Sequence, residues 1–179
     1  MTEYYFDIET TGKDPLKDKI ITIQWQELDR YTGEPVGDPM ILKEWESSEK
    51  EILSSFLPKL TTEDDFAFTM IGQNLLFDFC FISHKAKIYG LKELNLQFFK
   101  DRAFIDLKPI LIMINEGRFK GYNKLIPKKL EFINIEVPRL YEKGRYSEIL
   151  TYIQEETTSF LKIYQILKKE MPSLKAKLR

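Results

Sequence analysis

The sequence predicts an α/β domain in which a mixed β-sheet is flanked by α-helices. Three observations carry that expectation. Strand-like segments at residues 4–9, 20–28 and 40–45 follow one another with only turn-rich links between them, as in a meander. Helical and strand-like segments then alternate from about residue 48 onward. A chain of 179 residues is also the size of one ordinary domain, long enough to bury a single core, so residues 1–179 read as one unit.

Each element has a local reason. YYFDIE (4–9) has the aromatic and β-branched character of a strand, and TTGKDPLKDK after it is a loop holding Gly12 and Pro15. IITIQWQEL (20–28) alternates as a second strand, YTGEPVGDP is a turn, and MILKEW (40–45) is a third strand. A helix capped by Ser47 or Ser48 follows, with Ile52, Leu53, Phe56 and Leu57 at helical spacing. FAFTMIG (66–72) is a fourth strand, and NLLFDFCFISHKAKIYGL (74–91) a helix ending at Gly90, a left-handed C-cap. FFKDRAFIDLKPILIMIN (98–115) reads as a short strand running into a helix, and a small helical element is expected over 129–133. A long amphipathic helix over 146–169 closes the domain, with Ile149, Tyr152, Ile153, Phe160, Leu161, Tyr164 and Leu167 on or near one face.

Composition excludes several classes. With 43% apolar and 31% charged residues the chain is neither disordered nor membrane-embedded, and its apolar runs fall short of a membrane span. The N-terminus lacks a basic segment followed by a long apolar stretch, and Cys80 is the single cysteine, so a cytoplasmic setting without disulfides is expected. One His and one Cys exclude a Cys/His zinc site. A net charge of −1 argues against indiscriminate nucleic-acid binding, yet GRFKGYNKLIPKK (117–129) carries Arg118, Lys120, Lys124, Lys128 and Lys129 with no acid. That run suits a phosphate-facing patch, or equally a solvated helix face.

The acids pose the sharper question. Residues i and i+2 of a strand share a side, so Asp7 and Glu9 project together from an otherwise apolar run while Phe6 and Ile8 face the other way. Paired carboxylates resist desolvation unless a cation neutralises them, and oxygen ligands suit Mg²⁺ or Mn²⁺. Asp78 is embedded in the apolar stretch IGQNLLFDFCFI and so requires a partner. Tyr152 and Glu156, spaced i, i+4, share one face of the last helix.

In this order these stretches resemble the DEDD exonuclease superfamily, whose domains hydrolyse nucleic acids from the 3′ end on a ribonuclease H-like fold. FDIETTG looks like the first motif, with Asp7 and Glu9, and NLLFD like the second, with Asn74 and Asp78. YIQEE places Tyr152 in the tyrosine position of the third motif of the tyrosine subgroup, whereas Glu156, beside Glu155, stands where the family has Asp. FIDLKPIL, with Asp106, is similar to the segment between the second and third motifs in family B DNA polymerase proofreading domains.

The resemblance implies two-metal hydrolysis of phosphodiesters in single-stranded DNA or RNA with a free 3′ end. Asp7, Glu9, Asp78 and Glu156 would hold two divalent ions, Mg²⁺ or Mn²⁺, and Tyr152 would orient the attacking water. Thr10, Thr11 and Asn74 would contact the terminal nucleotide. Phe77 is read as core and His84 as a surface or helix-end residue. On the family pattern Glu156→Asp is expected to give equal or higher activity. No polymerase or helicase region is expected, because the motifs run nearly end to end. The competing expectation is a weakened or inactive nuclease-like domain that binds nucleic-acid ends or a protein partner.

Overall fold

The computed structural model describes residues 1–117 and 136–178. The basic residues Arg118, Lys120, Lys124, Lys128 and Lys129 and the helix expected over 129–133 lie outside the described residues. Among the described residues five strands form one sheet in the order β3-β2-β1-β4-β5. Strands β1 (Glu3–Thr10), β2 (Ile20–Leu28) and β3 (Pro35–Lys43) make the antiparallel meander. β4 (Thr69–Gly72) and β5 (Phe104–Asp106) then add parallel to β1, which makes the sheet mixed.

Helices cover both faces, as a sheet whose central strand alternates between two apolar sets requires. Phe6 and Ile8 pack beneath α1 (Glu49–Leu60) and α2 (Leu75–Ile88), against Leu53, Phe56, Leu75 and Phe79. Tyr5, on the other face, packs with Leu107 and Leu111 of α4 (Leu107–Ile114) and with Phe160 and Tyr164 of α6 (Tyr146–Lys177). α3 (Leu96–Asp101) sits between α2 and β5, and α5 (Glu136–Glu142) packs Val137 and Leu140 against Ile149, Tyr152 and Ile153 of α6.

Several boundaries differ from the sequence expectation. β3 begins at Pro35 rather than at residue 40; it is an edge strand, where proline costs no ladder hydrogen bond. Ser48 caps α1, its hydroxyl accepting from the Glu51 N–H at 3.2 Å and donating to the Glu51 carboxylate at 3.0 Å. Residues 98–101 are helical, because the Asn95 side chain accepts from the Phe98 N–H at 2.8 Å and starts α3. α6 runs on to Lys177 through Pro172.

Two buried carboxylates tie the layers together. Glu49 accepts from the Ile20 N–H and the Tyr89 hydroxyl, each at 2.7 Å, joining α1 to β2 and to the end of α2. Glu3, 3% exposed, accepts from the Tyr164 hydroxyl and Lys168 Nζ, each at 2.7 Å, and so anchors α6 to the start of β1. Charges this deep are tolerated only with such partners. Among the described residues no helix is long and apolar enough to cross a membrane.

Candidate metal and nucleic-acid site

Because β1, β4 and β5 are parallel, their carboxyl ends meet at one edge of the sheet, where α2 and α4 begin. A cleft of about 730 Å³ opens there. It is lined by Asp7, Glu9 and Thr10 of β1, Asn74, Phe77 and Asp78 at the start of α2, Lys108 of α4, and Tyr152 and Glu156 of α6, among others. Residues separated by 149 positions of sequence thus share one wall: Asp7 and Glu156 approach across the sheet face that α6 covers.

Close approach of α2 depends on Gly72. A Cβ there would come within 2.7 Å of the Phe6 carbonyl oxygen and 2.5 Å of Leu75 Cδ2. The turn that follows is built by Asp106, whose carboxylate accepts from the backbone N–H groups of Asn74 at 2.8 Å, Leu75 at 3.0 Å and Lys108 at 2.9 Å. One side chain therefore serves the first turns of both α2 and α4. It holds Asn74 in a left-handed conformation at φ 63°, and Lys108 Nζ donates to Asn74 Oδ1 at 2.7 Å. Asp78 then falls on the first turn of α2, buried beside β1.

Carboxylate oxygens of Asp7, Glu9 and Glu156 all lie within 4.8 Å of one another. Asp78 stands outside that trio but close enough to feel the Asp7 charge. Burial, followed by Glu156, pushes the Asp7 carboxyl well above the ordinary carboxylate range, against hydrogen bonds from the Ile8 N–H, Gln24 and Tyr5. Burial and then Asp7, Glu156 and Asp78 push Glu9 up, with no hydrogen bond among the described residues opposing them. Asp78 is raised by burial and Asp7, and Glu156 by burial, offset in part by the hydrogen bond from Tyr152. The Tyr152 phenol is itself pushed far up by burial and by Glu156, so it stays protonated and donates to Glu156.

Such a cluster suits a cation. Among the described residues buried Glu9 Oε1 finds no hydrogen-bond partner, an acceptor with nothing to accept from. An all-oxygen donor set of this charge matches hard divalent ions. Asp7, Glu9 and Glu156 would hold one directly, with Asp78 adjoining.

The remaining expectations divide. Thr10 and Asn74 line the cleft, but Thr11 does not: its hydroxyl accepts from the Lys19 N–H at 2.9 Å and closes the loop after β1. Phe77 is both, lining the cleft and packing on the core with Phe81 at 4.9 Å between centroids. His84 is half-buried in the third turn of α2, away from the cleft. Lys108, Gln24 and the role of Asp106 escaped the sequence reading. A polar residue recurring every second position in IITIQWQEL was the available signal for Gln24.

Solved structures share this architecture. Apo exonuclease I aligns with a TM-score of 0.52 at 15% identity, over 68% of this chain and 32% of that one. The product-bound exonuclease I gives 0.52 at 15% identity over 73% and 35%. The zinc-bound complex of E. coli exonuclease I with single-stranded DNA gives 0.52 at 16% over 67% and 31%. The chain has the ribonuclease H-like fold of exonuclease I. It spans about a third of the length of those enzymes, and at such identity the likeness speaks for fold. An uncharacterised protein of Methanocaldococcus jannaschii is 29% identical over 138 residues, 77% of this chain and 69% of that one. No protein-family model matches the chain.

Proposed function

We propose that the chain is a metal-dependent 3′-5′ exonuclease that hydrolyses phosphodiester bonds of single-stranded DNA or RNA, acting in the cytoplasm as one exonuclease-like domain over residues 1–179. The observation that carries this reading is the convergence of Asp7, Glu9 and Glu156 in the lining of one cleft, with a buried Glu9 oxygen that has no hydrogen-bond partner among the described residues. Two divalent ions, Mg²⁺ or Mn²⁺, would supply water of lowered pKa at neutral pH and stabilise the leaving 3′ oxygen.

The chain's own residues do the rest. Asp7, Glu9, Asp78 and Glu156 fix the positions of charge. A phenol held protonated is a donor rather than a base, so Tyr152 orients water and the Glu156 carboxylate by hydrogen bonding, in the manner of the tyrosine subgroup. Thr10 and Asn74 face the terminal nucleotide, with Lys108 behind Asn74 as a cation for its phosphate. Single-stranded DNA in a complex of E. coli exonuclease I supports a nucleic-acid partner.

A 5′-labelled single-stranded DNA and its RNA counterpart, each incubated with Mg²⁺, Mn²⁺ or EDTA, test the reading. A metal-dependent ladder shortening from the 3′ end and lost in Asp7→Ala is expected. Equal cleavage by Asp7→Ala would overturn it. The second reading, a weakened domain that binds ends or a protein partner without cutting, draws on Glu156 in place of aspartate; tight metal-independent strand binding with no product would favour it.

A further inference from the structure

Beneath α6 the sheet buries a row of polar side chains that the proposed chemistry does not itself use. Thr22, Gln24 and Gln26 alternate along β2 on the face where β1 carries Asp7 and Glu9, and they are 0%, 1% and 7% exposed. Burying three polar side chains in a central strand is costly unless each is hydrogen-bonded. Gln26 Nε2 donates to the Gly37 carbonyl at 2.9 Å and so serves the pairing with β3. The other two form a chain that ends on the acidic cluster. Thr22 Oγ1 donates to Gln24 Oε1 at 2.9 Å, and Gln24 Nε2 donates to Asp7 Oδ2 at 3.0 Å.

The register explains why these residues meet. Asp7 pairs with Gln24 and Glu9 with Thr22 across the β1–β2 ladder. A glutamine amide has nearly the same shape either way round, but one end accepts and the other donates. Turned over, Gln24 would set its oxygen against the Asp7 carboxylate. The Asp7 carboxylate, which only accepts, selects the orientation in which Nε2 faces it, and the Thr22 hydroxyl, free to donate, holds Oε1 at the far end and so fixes the position of the amide. Tyr5, whose hydroxyl also donates to Asp7 Oδ2 at 3.4 Å, supplies a second tie on the same oxygen.

The geometry points to Thr22 and Gln24 as positioning residues for Asp7, a two-step relay that fixes the rotation of its carboxylate and hence its spacing to Glu9 and Glu156. Neither side chain touches the ion or the substrate. The inference rests on the metal-centre reading above and deepens it: affinity for the divalent ion is set partly by a hydroxyl on β2 that reaches the Asp7 carboxylate only through Gln24. Outer partners of this kind are worth roughly 10–100-fold in metal affinity.

Mn²⁺ binding to metal-free protein, measured by titration calorimetry and by the shift in Tm, tests it on the wild type, Gln24→Met, Thr22→Val and Thr22→Ser. Valine keeps the shape of threonine and suits a strand, so Thr22→Val removes the hydroxyl with little else. Gln24→Met and Thr22→Val are expected to bind Mn²⁺ about 10–100-fold more weakly, while Thr22→Ser, which keeps the hydroxyl, binds like the wild type. Should Gln24→Met fail to fold, the Thr22 pair decides alone. Wild-type affinity in Thr22→Val overturns the relay, as does a Thr22→Ser protein as weak as Thr22→Val. A wild type that takes up no Mn²⁺ overturns the metal-centre reading itself, and the relay with it.

Discussion

Glu9→Gln is expected to make the metal-free protein more stable and the metal-loaded protein less so. Glu9 has carboxylate oxygens of both Asp7 and Glu156 within 4.8 Å. At an effective dielectric of about 20, two like charges at that separation repel by roughly 3.5 kcal/mol. Proton uptake relieves part of this, since burial and the neighbouring acids hold the Glu9 carboxyl well above its ordinary range. A group raised in the folded state stabilises fully below its unfolded pKa, and that contribution is lost as pH rises through the folded value. At pH 8 in EDTA the neutral amide should therefore gain about 1–3 kcal/mol over the carboxylate, or roughly 3–10 °C in Tm for a chain of this length.

The gain should shrink as pH falls from 8 to 5, because proton uptake by the raised wild-type carboxyl increasingly supplies what the amide replaces. Mn²⁺ at about 100 times its Kd should stabilise the wild type by about 2.7 kcal/mol, and the variant far less, so the order of melting reverses. Thermal melts at the two pH values, with EDTA or Mn²⁺, read all four conditions. A variant that melts below the wild type in EDTA at pH 8, or an equal Mn²⁺ shift in both proteins, would refute the reasoning.

Three further outcomes follow from the geometry. Glu156→Asp withdraws a carboxylate that already reaches Asp7 and Glu9, and a displacement of roughly 1 Å can cost about 100-fold, so weaker Mn²⁺ binding and slower cleavage replace the expectation drawn from the motif alone; equal or higher activity on labelled DNA would show that α6 shifts to compensate. Asp106→Ala strips the acceptor from three backbone N–H groups and should cost about 3 kcal/mol, read as a lower midpoint in urea, whereas an unchanged midpoint would mean that water replaces the carboxylate. Gly72→Ala forces a methyl against the Phe6 carbonyl and should destabilise by about 1–3 kcal/mol while weakening Mn²⁺ binding through displacement of α2; wild-type values for both would place the close approach elsewhere.

What the sequence disclosed was governed by periodicity. The strand alternation of Tyr5, Asp7 and Glu9 against Phe6 and Ile8 was legible and put both acids on one face. So was the apolar stripe of α6, which brings Tyr152 and Glu156 to the sheet. FFKDRAFIDLKPILIMIN does hold a short strand running into a helix, β5 into α4, but its first four residues close α3, because an aromatic pair is strand-like in composition and a six-residue helix is too short to show a period; the Asn95 cap decides the matter. Asp106 could be matched to a motif but not to its work, since three backbone donors from two helices converge on it only after β4 and β5 pair. Thr10 and Thr11 could not be told apart in the motif: only the folded loop shows the Thr11 hydroxyl accepting from the Lys19 N–H, beside the cleft rather than in its lining.

The Glu3 anchor has a mechanical consequence. Tyr164 and Lys168 are clamped to the start of β1, and Glu156 lies eight residues back along the same rigid helix, roughly 12 Å away at 1.5 Å per residue. The helix is a lever with its fulcrum at Glu3. A tilt of about 5° at the fulcrum swings the far arm by roughly 1 Å, as much as the methylene that separates glutamate from aspartate. Substitutions at Glu3 or Lys168, remote from the cleft, therefore act as a vernier on the acidic cluster, and selection could retune its spacing without touching any of its carboxylates.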